Sequence, residues 1–288
     1  MFNKVGLIAK RDDARVGEML TRFLKLLAAR GIDVVIDESS DAVVDCQSAR
    51  TVDRETLADE CDLAVILGGD GTFLNAARSL SGKPIRLLGI NMGRVGFLTD
   101  VVPEEMNSVV AAVLDGDFIE EQRFLLSTRV IHQGDCELEV SALNDVVAHN
   151  WRIARLLEFE TYINSKLVNQ QRADGLIVST PTGSTAYALS SGGPILHPGI
   201  DALVLVPVCP HTLTSRPLVV QGDSNIEIVL SDGEQPEVQL TCDGQTTMKL
   251  SAGDRIQICK NSDMLSLIHP SGYDFYATLR TKLNRGRG

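Results

Sequence analysis

The chain has 288 residues, enough for one large or two ordinary domains with a real core. Its 44% hydrophobic and 23% charged content is that of an ordinary soluble globular protein. A formal net charge of −11 argues against a broad nucleic-acid or anionic-membrane surface. Any anionic ligand must therefore be held by local arginines, lysines and backbone N–H groups against the overall field.

Val5-Gly6-Leu7-Ile8-Ala9 predicts a first buried strand. Residues 16–29 place Met19, Leu20, Phe23, Leu24, Leu26 and Leu27 on one stripe, which predicts a helix ended by Gly31. Val34-Val35-Ile36 predicts a second strand. After a polar stretch, residues 63–67 predict a third, residues 72–80 a helix with Thr72 as its cap, and residues 85–90 a fourth strand. Strands alternating with helices imply a mostly parallel sheet with right-handed crossovers, whose ligands sit at the carboxyl ends of strands. Residues 106–114 predict another helix, closed by Asp115-Gly116-Asp117. From 124 to 163, and again from 218 to 268, short β-rich runs alternate with Asn, Asp and Gly turns, the pattern of an antiparallel all-β domain. The expected division is residues 1–120 and 121–288, with the extreme C-terminus placed to pack back on the first domain.

The six cysteines lack CxxC spacing, which argues against a zinc site or a disulfide framework and suits a reducing cytosol. No charged leader precedes a long apolar run and no segment approaches membrane-spanning length, so the expectation is a cytoplasmic protein. His132, His149, His197, His211 and His269 have no metal-ligand spacing, and no metal-ligating set is assigned.

Two loops carry chemistry. The strand 63–67 runs straight into Gly68-Gly69-Asp70-Gly71-Thr72, three glycines bracketing one carboxylate, followed by a helix. A strand, a glycine turn and a helix start together form an anion site, because free N–H groups and the helix dipole favour negative charge. A carboxylate there would repel phosphates, so Asp70 either caps the next helix or has a chemical task. A Walker loop is excluded because no lysine follows, and the dinucleotide fingerprint fails at Leu74. The second loop, 174–187, leads a strand into five hydroxyl residues around Pro181 and Gly183 and out into a helix at 186–190. Such hydroxyls either cap a helix or bind ribose, amide or phosphate groups.

Taken together, Gly68-Gly69-Asp70-Gly71-Thr72, Gly89-Ile90-Asn91, Gly96-Phe97-Leu98-Thr99, Asn144-Asp145, the block 174–194, Pro207-Val208-Cys209-Pro210-His211-Thr212-Leu213 and Asp243-Gly244-Gln245 resemble the NAD kinase family, in order along essentially the whole chain. The glycine-Asp motif alone is shared with diacylglycerol, sphingosine and phosphofructokinase-type kinases; the block 174–194 is far more specific. The resemblance implies an N-terminal α/β nucleotide-binding domain and a C-terminal β-sandwich-like domain with the site between them. It also implies dimers or tetramers, and ATP-dependent phosphorylation of the adenosine ribose 2′-hydroxyl of NAD with a divalent cation, Mg²⁺, delivered on ATP.

Carried over by position, Asp70 is the candidate base or orienter for the 2′-hydroxyl, with Gly71 and Phe73 lining the nucleotide. Asn144 and Asp145 would hold the adenosine portion. Asp174, Thr185, Ala186, Tyr187, Ala188, Leu189 and Ser190 would complete the NAD pocket, with Arg172 near phosphate, Gln245 as a further polar contact and Arg155 at a position whose identity varies in the family. Asp145 stands where Glu is frequent, which shortens its reach by one methylene. The competing readings are a lipid kinase sharing the glycine-Asp motif and a nucleotide-binding regulator without catalysis. Against the first stand the 174–194 block and the lack of a basic amphipathic helix; against the second stands the presence of Asp70.

Overall fold

The computed structural model describes residues 2–9, 14–43, 49–93, 96–151, 156–232 and 237–284. Its backbone separates into two compact units, Met1–Gln122 with Leu265–Gly288, and Arg123–Met264.

The first unit is an α/β layer structure. Strands β1 (Lys4–Ala9), β2 (Asp33–Asp37), β3 (Arg50–Val52), β4 (Leu63–Leu67) and β5 (Arg86–Ile90) lie in the order β3-β2-β1-β4-β5, all parallel. Helices α1 (Ala14–Ala29), α2 (Arg54–Glu60), α3 (Asp70–Leu80) and α4 (Met106–Leu114) supply the crossovers and the cover. All five residues of β4 are buried, as expected of a central strand covered on both faces. The predicted stripe of α1 is buried, with Met19, Leu20, Phe23, Leu24 and Leu27 packed against Leu7, Val65, Leu67, Val110 and Val113.

The second unit holds β6 (Phe118–His132) from Arg123 onward and β7 (Asp135–Ala142), an antiparallel pair, and then β8 (Asp145–Asn150), β9 (Leu157–Ile163), β10 (Lys166–Ala173), β11 (Gly175–Ser179), α5 (Tyr187–Ser190), β12 (Ala202–Val208), β13 (Leu218–Gln221), β14 (Ile226–Leu230), β15 (Val238–Cys242), β16 (Thr246–Leu250) and β17 (Arg255–Pro270) as far as Met264. A six-stranded antiparallel sheet runs β13-β12-β11-β8-β15-β16. A second antiparallel group runs β10-β9-β14-β17. Val146, Ala148, Leu176, Val178 and Leu240 of the former share one core with Phe159, Ile226, Ile228, Ile256 and Ile258 of the latter, the arrangement of a β-sandwich. Strict in–out alternation along β14 and β15 is the local signature of that packing. The last residues of β17 pair in parallel with β5 in the first unit (Ser266 opposite Arg86), where α6 (Phe275–Asn284) follows.

Three local expectations are corrected. The polar stretch between β2 and β4 contains β3 and α2, missed because β3 buries only Val52 and α2 buries only Leu57 and Ala58. Helix α3 begins at Asp70, not Thr72, with Gly69 as its N-cap and no side-chain cap. The helix expected at 186 starts at Tyr187, after a 3₁₀ turn over Gly183–Thr185.

One buried ion pair joins the sheet to its cover. The Asp37 side chain, 1% exposed at the end of β2, accepts from Arg54 Nε (2.6 Å) and Nη2 (3.0 Å) and from the Ser39 N–H (3.0 Å) and hydroxyl. Burial pushes its pKa up, but the Arg54 fork and the Ser39 donors outweigh it and hold the carboxyl below its usual range. Arg54→Ala leaves that carboxylate buried and uncompensated, and should cost about 3–5 kcal/mol near neutral pH. The stability that a depressed carboxyl contributes is present above its unfolded pKa and lost as pH falls through the folded one. The gap in thermal midpoint between variant and wild type should therefore narrow on acidification below about pH 4; a gap unchanged by acid would contradict the assignment.

Candidate functional site

In the first unit the site is built on Asp70. The Gly68 N–H donates to the Ile90 carbonyl (2.9 Å), which ties together the carboxyl ends of β4 and β5. Beyond it, Thr72 and Phe73 N–H groups close the first turn of α3 onto the Gly69 carbonyl. The Asp70 carboxylate turns away from its own helix onto the loop that follows β5. Its Oδ2 accepts from the Phe97 N–H (3.0 Å), and its Oδ1 from the Leu98 N–H (3.2 Å) and the Thr99 hydroxyl (3.0 Å). Thr99 is buried and in turn accepts from Asn91 Nδ2 (2.8 Å), whose Oδ1 accepts from the Gly93 N–H (2.6 Å). A side chain at Gly96 would put its Cβ 1.8 Å from Asp70 Oδ1, and one at Gly89 would meet the Leu98 carbonyl at 2.4 Å. Both glycines are therefore demanded by close approach rather than by turn geometry. A carboxylate offers about four lone-pair positions. Among the described residues three are taken, which leaves Asp70 able to accept one further hydroxyl.

Gly71 is exposed beside Asp70, whereas Phe73 is fully buried in the first unit. Thr99 and Asn91 were quoted in the sequence motifs but given no role there. Thr99 grips a carboxylate about thirty residues away and Asn91 braces Thr99, tasks that leave no local periodic signal.

In the second unit the loops 143–145, 180–190 and 243–245 meet. Asp243, in the left-handed region at φ +53°, accepts from the N–H groups of Leu143 (2.9 Å), Asn144 (2.7 Å) and Asp145 (3.2 Å). Thr180 donates its hydroxyl to the Leu143 carbonyl (2.6 Å) and accepts from the Gly183 N–H (3.1 Å). Ser179 donates to the Asn144 carbonyl (3.1 Å), and a Cβ at Gly183 would fall 2.0 Å from that same oxygen. Ser184 fixes the far side of the turn by donating to the Pro181 carbonyl (2.6 Å) and accepting from the Leu196 N–H (2.9 Å). Thr185 donates to the Thr182 carbonyl (3.1 Å), so these hydroxyls are spent on the turn itself and on the adjoining 143–144 loop. Asn144, Thr185, Ala186 and Leu189 are half-buried, Tyr187, Ser190 and Gln245 are exposed, and Ala188 is a core residue packed with Val147, Ile177 and Val204. Sequence reasoning gave Asp243 no role, although it organises the Asn144-Asp145 corner.

Arg172 and Asp174 are both exposed and lie at the opposite end of β11, about 16 Å along the strand from Ser179. Arg172 Nε is 3.9 Å from Glu158 Oε2, and the Asp174 carbonyl accepts from the Asn150 N–H (2.8 Å). Arg155 lies outside the described residues. Among the described residues no group of three or more His, Cys, Asp or Glu side chains is placed to hold a metal ion.

Asp145 is the electrostatic singularity of this unit. It is 5% exposed, and burial together with the neighbouring Asp243 carboxylate pushes its pKa up to about 7. The sign is the reverse of the usual carboxylate case. A folded pKa above the unfolded value favours the fold at low pH and works against it as pH rises from about 4 toward 7. Asp145→Asn removes the ionising group, so the unliganded variant should melt higher than wild type at pH 8, with the difference fading by about pH 5. A pH-independent difference would place Asp145 in a solvated environment.

Family models match both halves of the chain, the ATP-NAD kinase N-terminal domain over residues 5–118 and the ATP-NAD kinase C-terminal domain over residues 143–270. The chain is 47% identical over 286 residues to an NAD kinase of Nitrosococcus oceani, covering 99% of this chain and 98% of that protein. It is 47% identical over 282 residues to one of Saccharophagus degradans, covering 98% and 96%. Among solved structures, a yeast NADH kinase complexed with NADH superposes with a TM-score of 0.90 at 23% identity, covering 99% of this chain and 88% of that one, a likeness of fold. An NAD kinase from Archaeoglobus fulgidus in complex with ATP gives a TM-score of 0.77 at 25% identity, covering 98% of each. With both domain models matched and near-half identity over almost its full length, the chain belongs to the NAD kinase family.

Proposed function

We propose that the chain transfers the γ-phosphoryl group of ATP to the 2′-hydroxyl of the adenosine ribose of NAD, giving NADP. The observation that carries this reading is the family match along both halves of the chain. Asp70 supplies the chemical complement. Phosphoryl transfer asks the protein mainly for positioning and electrostatic stabilisation, with Mg²⁺ arriving on the triphosphate. A ribose hydroxyl is a poor nucleophile, and a carboxylate held by three donors, with one acceptor position left among the described residues, is suited to orient it. The glycines around Asp70 allow a ribose to approach.

Asn144, Asp145, the turn 185–190 and Gln245 are the candidate contacts for the adenosine half. Ala188, in the core of the second unit, contributes to that surface only by shaping it, and Phe73, in the core of the first unit, only supports the turn that carries Asp70. Arg172 and Asp174, at the far end of β11, are candidates for the distal half of an extended dinucleotide. Residues 1–120 would then carry the acting carboxylate, and residues 121–288 the dinucleotide contacts and the oligomer interface. A homodimer or homotetramer is the proposed assembly, supported by apolar side chains left exposed in the second unit, among them Trp151, Leu213, Leu218 and Val219. The cytoplasm is the proposed compartment, in keeping with the free cysteines at 61, 136, 209, 242 and 259.

The reading is tested by incubating the purified chain with NAD, ATP and Mg²⁺ and coupling NADP formation to an NADP-specific dehydrogenase. Turnover that stops on chelation is expected; no NADP under these conditions would refute it. Asp70→Asn should lower kcat by about 10²- to 10⁴-fold with a small change in the NAD dissociation constant. Asparagine is not a silent replacement here, because its NH₂ must face at least one of the loop N–H donors. Wild-type turnover in this variant would remove Asp70 from the reaction.

A further inference from the structure

The C-terminal segment returns to the first unit, and two of its side chains touch the loop that grips Asp70. His269, at the end of β17, is 1% exposed. Its Nδ1 lies 3.0 Å from Asp100 Oδ2 and its Nε2 3.5 Å from Glu121 Oε2, while its ring stacks on Tyr273 with centroids 3.9 Å apart. Asp100 directly follows Thr99, the residue whose hydroxyl holds Asp70. Asp100 Oδ1 is buried with no hydrogen-bond partner among the described residues, so the loop carries a carboxylate that depends on its other oxygen for compensation. At the other end of the loop, the Lys282 ammonium of α6 sits 5.6 Å from the centre of the Phe97 ring. The loop that presents three donors to Asp70 is thus pinned at both ends by residues 265–284.

We propose that His269 is a positioning residue for phosphoryl transfer: through Asp100 it fixes the 97–100 loop, and with it the orientation of the Asp70 carboxylate. The proposal rests on the reading in which Asp70 acts on the ribose hydroxyl. The groups that face the imidazole are Asp100 from the loop after β5, Glu121 from β6, and Tyr273 from the turn after β17. Burial lowers the pKa of the imidazole, but the hydrogen bond to Asp100 and the charges of Asp100 and Glu121 outweigh it, so the net shift is upward. A raised histidine keeps its stabilising charge at and below its unfolded pKa of about 6.5 and loses it as pH climbs through the folded value. The clamp is therefore set below the folded pKa and released as pH rises through it.

A double-mutant cycle separates positioning from general structural support. His269→Ala should lower kcat about ten- to a hundred-fold while KM for NAD and ATP moves less than about threefold. In an Asp70→Asn background the same change should cost less than about twofold, because the group being positioned is already gone. His269→Asn keeps a donor near the Nδ1 position without the charge. It should hold, at every pH, about the kcat to which wild type falls once the imidazole is neutral, and so lack the alkaline decline of wild type, and it supplies the cycle if the alanine variant does not fold. Equal fold-losses in both backgrounds, wild-type kcat in His269→Ala, or an asparagine variant with the wild-type pH profile would each overturn the proposal. Wild-type NADP formation and the Asp70→Asn variant, assayed alongside, show independently whether the underlying reading holds.

Discussion

A carboxylate at the start of a helix, turned back onto the N–H groups of a neighbouring loop, is the constraint on which the first unit's site depends. Asp70 does not cap α3; Gly69 does, with its carbonyl closing the first turn and no side chain involved. The carboxylate is instead spent across the carboxyl ends of β4 and β5, where two backbone N–H groups and the Thr99 hydroxyl converge on it. Bonds to an ionised acceptor are stronger than neutral ones, and here three of them tie residues 97–99 to the start of α3 as a fixed mount. Gly89 and Gly96 follow from that choice, since a side chain at either would collide with the mount.

The second unit repeats the device with a different purpose. Asp243 gathers the N–H groups of three successive residues, Leu143 to Asp145, and so fixes the corner between β7 and β8. Its charge is compensated by those donors. The next carboxyl, Asp145, is left in the low-dielectric shadow of that charge and holds its proton to about pH 7. A side chain that is costly to ionise in the unliganded protein, at the end of a rigid strand, is the kind of local strain that binding sites retain and cores do not.

Much of the fold was legible because its strands are buried on both faces. The runs at β1, β4 and β5 are nearly continuous apolar residues, and the stripe of α1 has a clean helical period, so tertiary packing and local pattern agree. The pieces that were missed, β3 and α2, bury few side chains and carry little apolar period; only the Asp53 cap on the Thr56 N–H marked the helix start. In the site, Asp70 was legible from its glycine bracket, because a charge inside an anion-binding turn is a local contradiction. Thr99 and Asp243 were not, since each acts on residues distant in sequence, nor was Asn91, which acts on Asp70 only by bracing Thr99; each resembles an ordinary polar loop residue until the chain is folded. The hydroxyl run at 179–185 was legible as a cluster but not as a mechanism: Ser184 and Thr185 donate within their own turn, while Ser179 and Thr180 donate to the carbonyls of Asn144 and Leu143.

The most direct test of the account is a crystal structure of the chain with NAD and a non-hydrolysable ATP analogue with Mg²⁺. The account predicts the adenosine ribose 2′-hydroxyl within about 2.6–3.2 Å of an Asp70 carboxylate oxygen, with the Phe97, Leu98 and Thr99 donors still on that carboxylate. A bound NAD whose 2′-hydroxyl points away from Asp70, with the carboxylate engaged only by its loop, would contradict it.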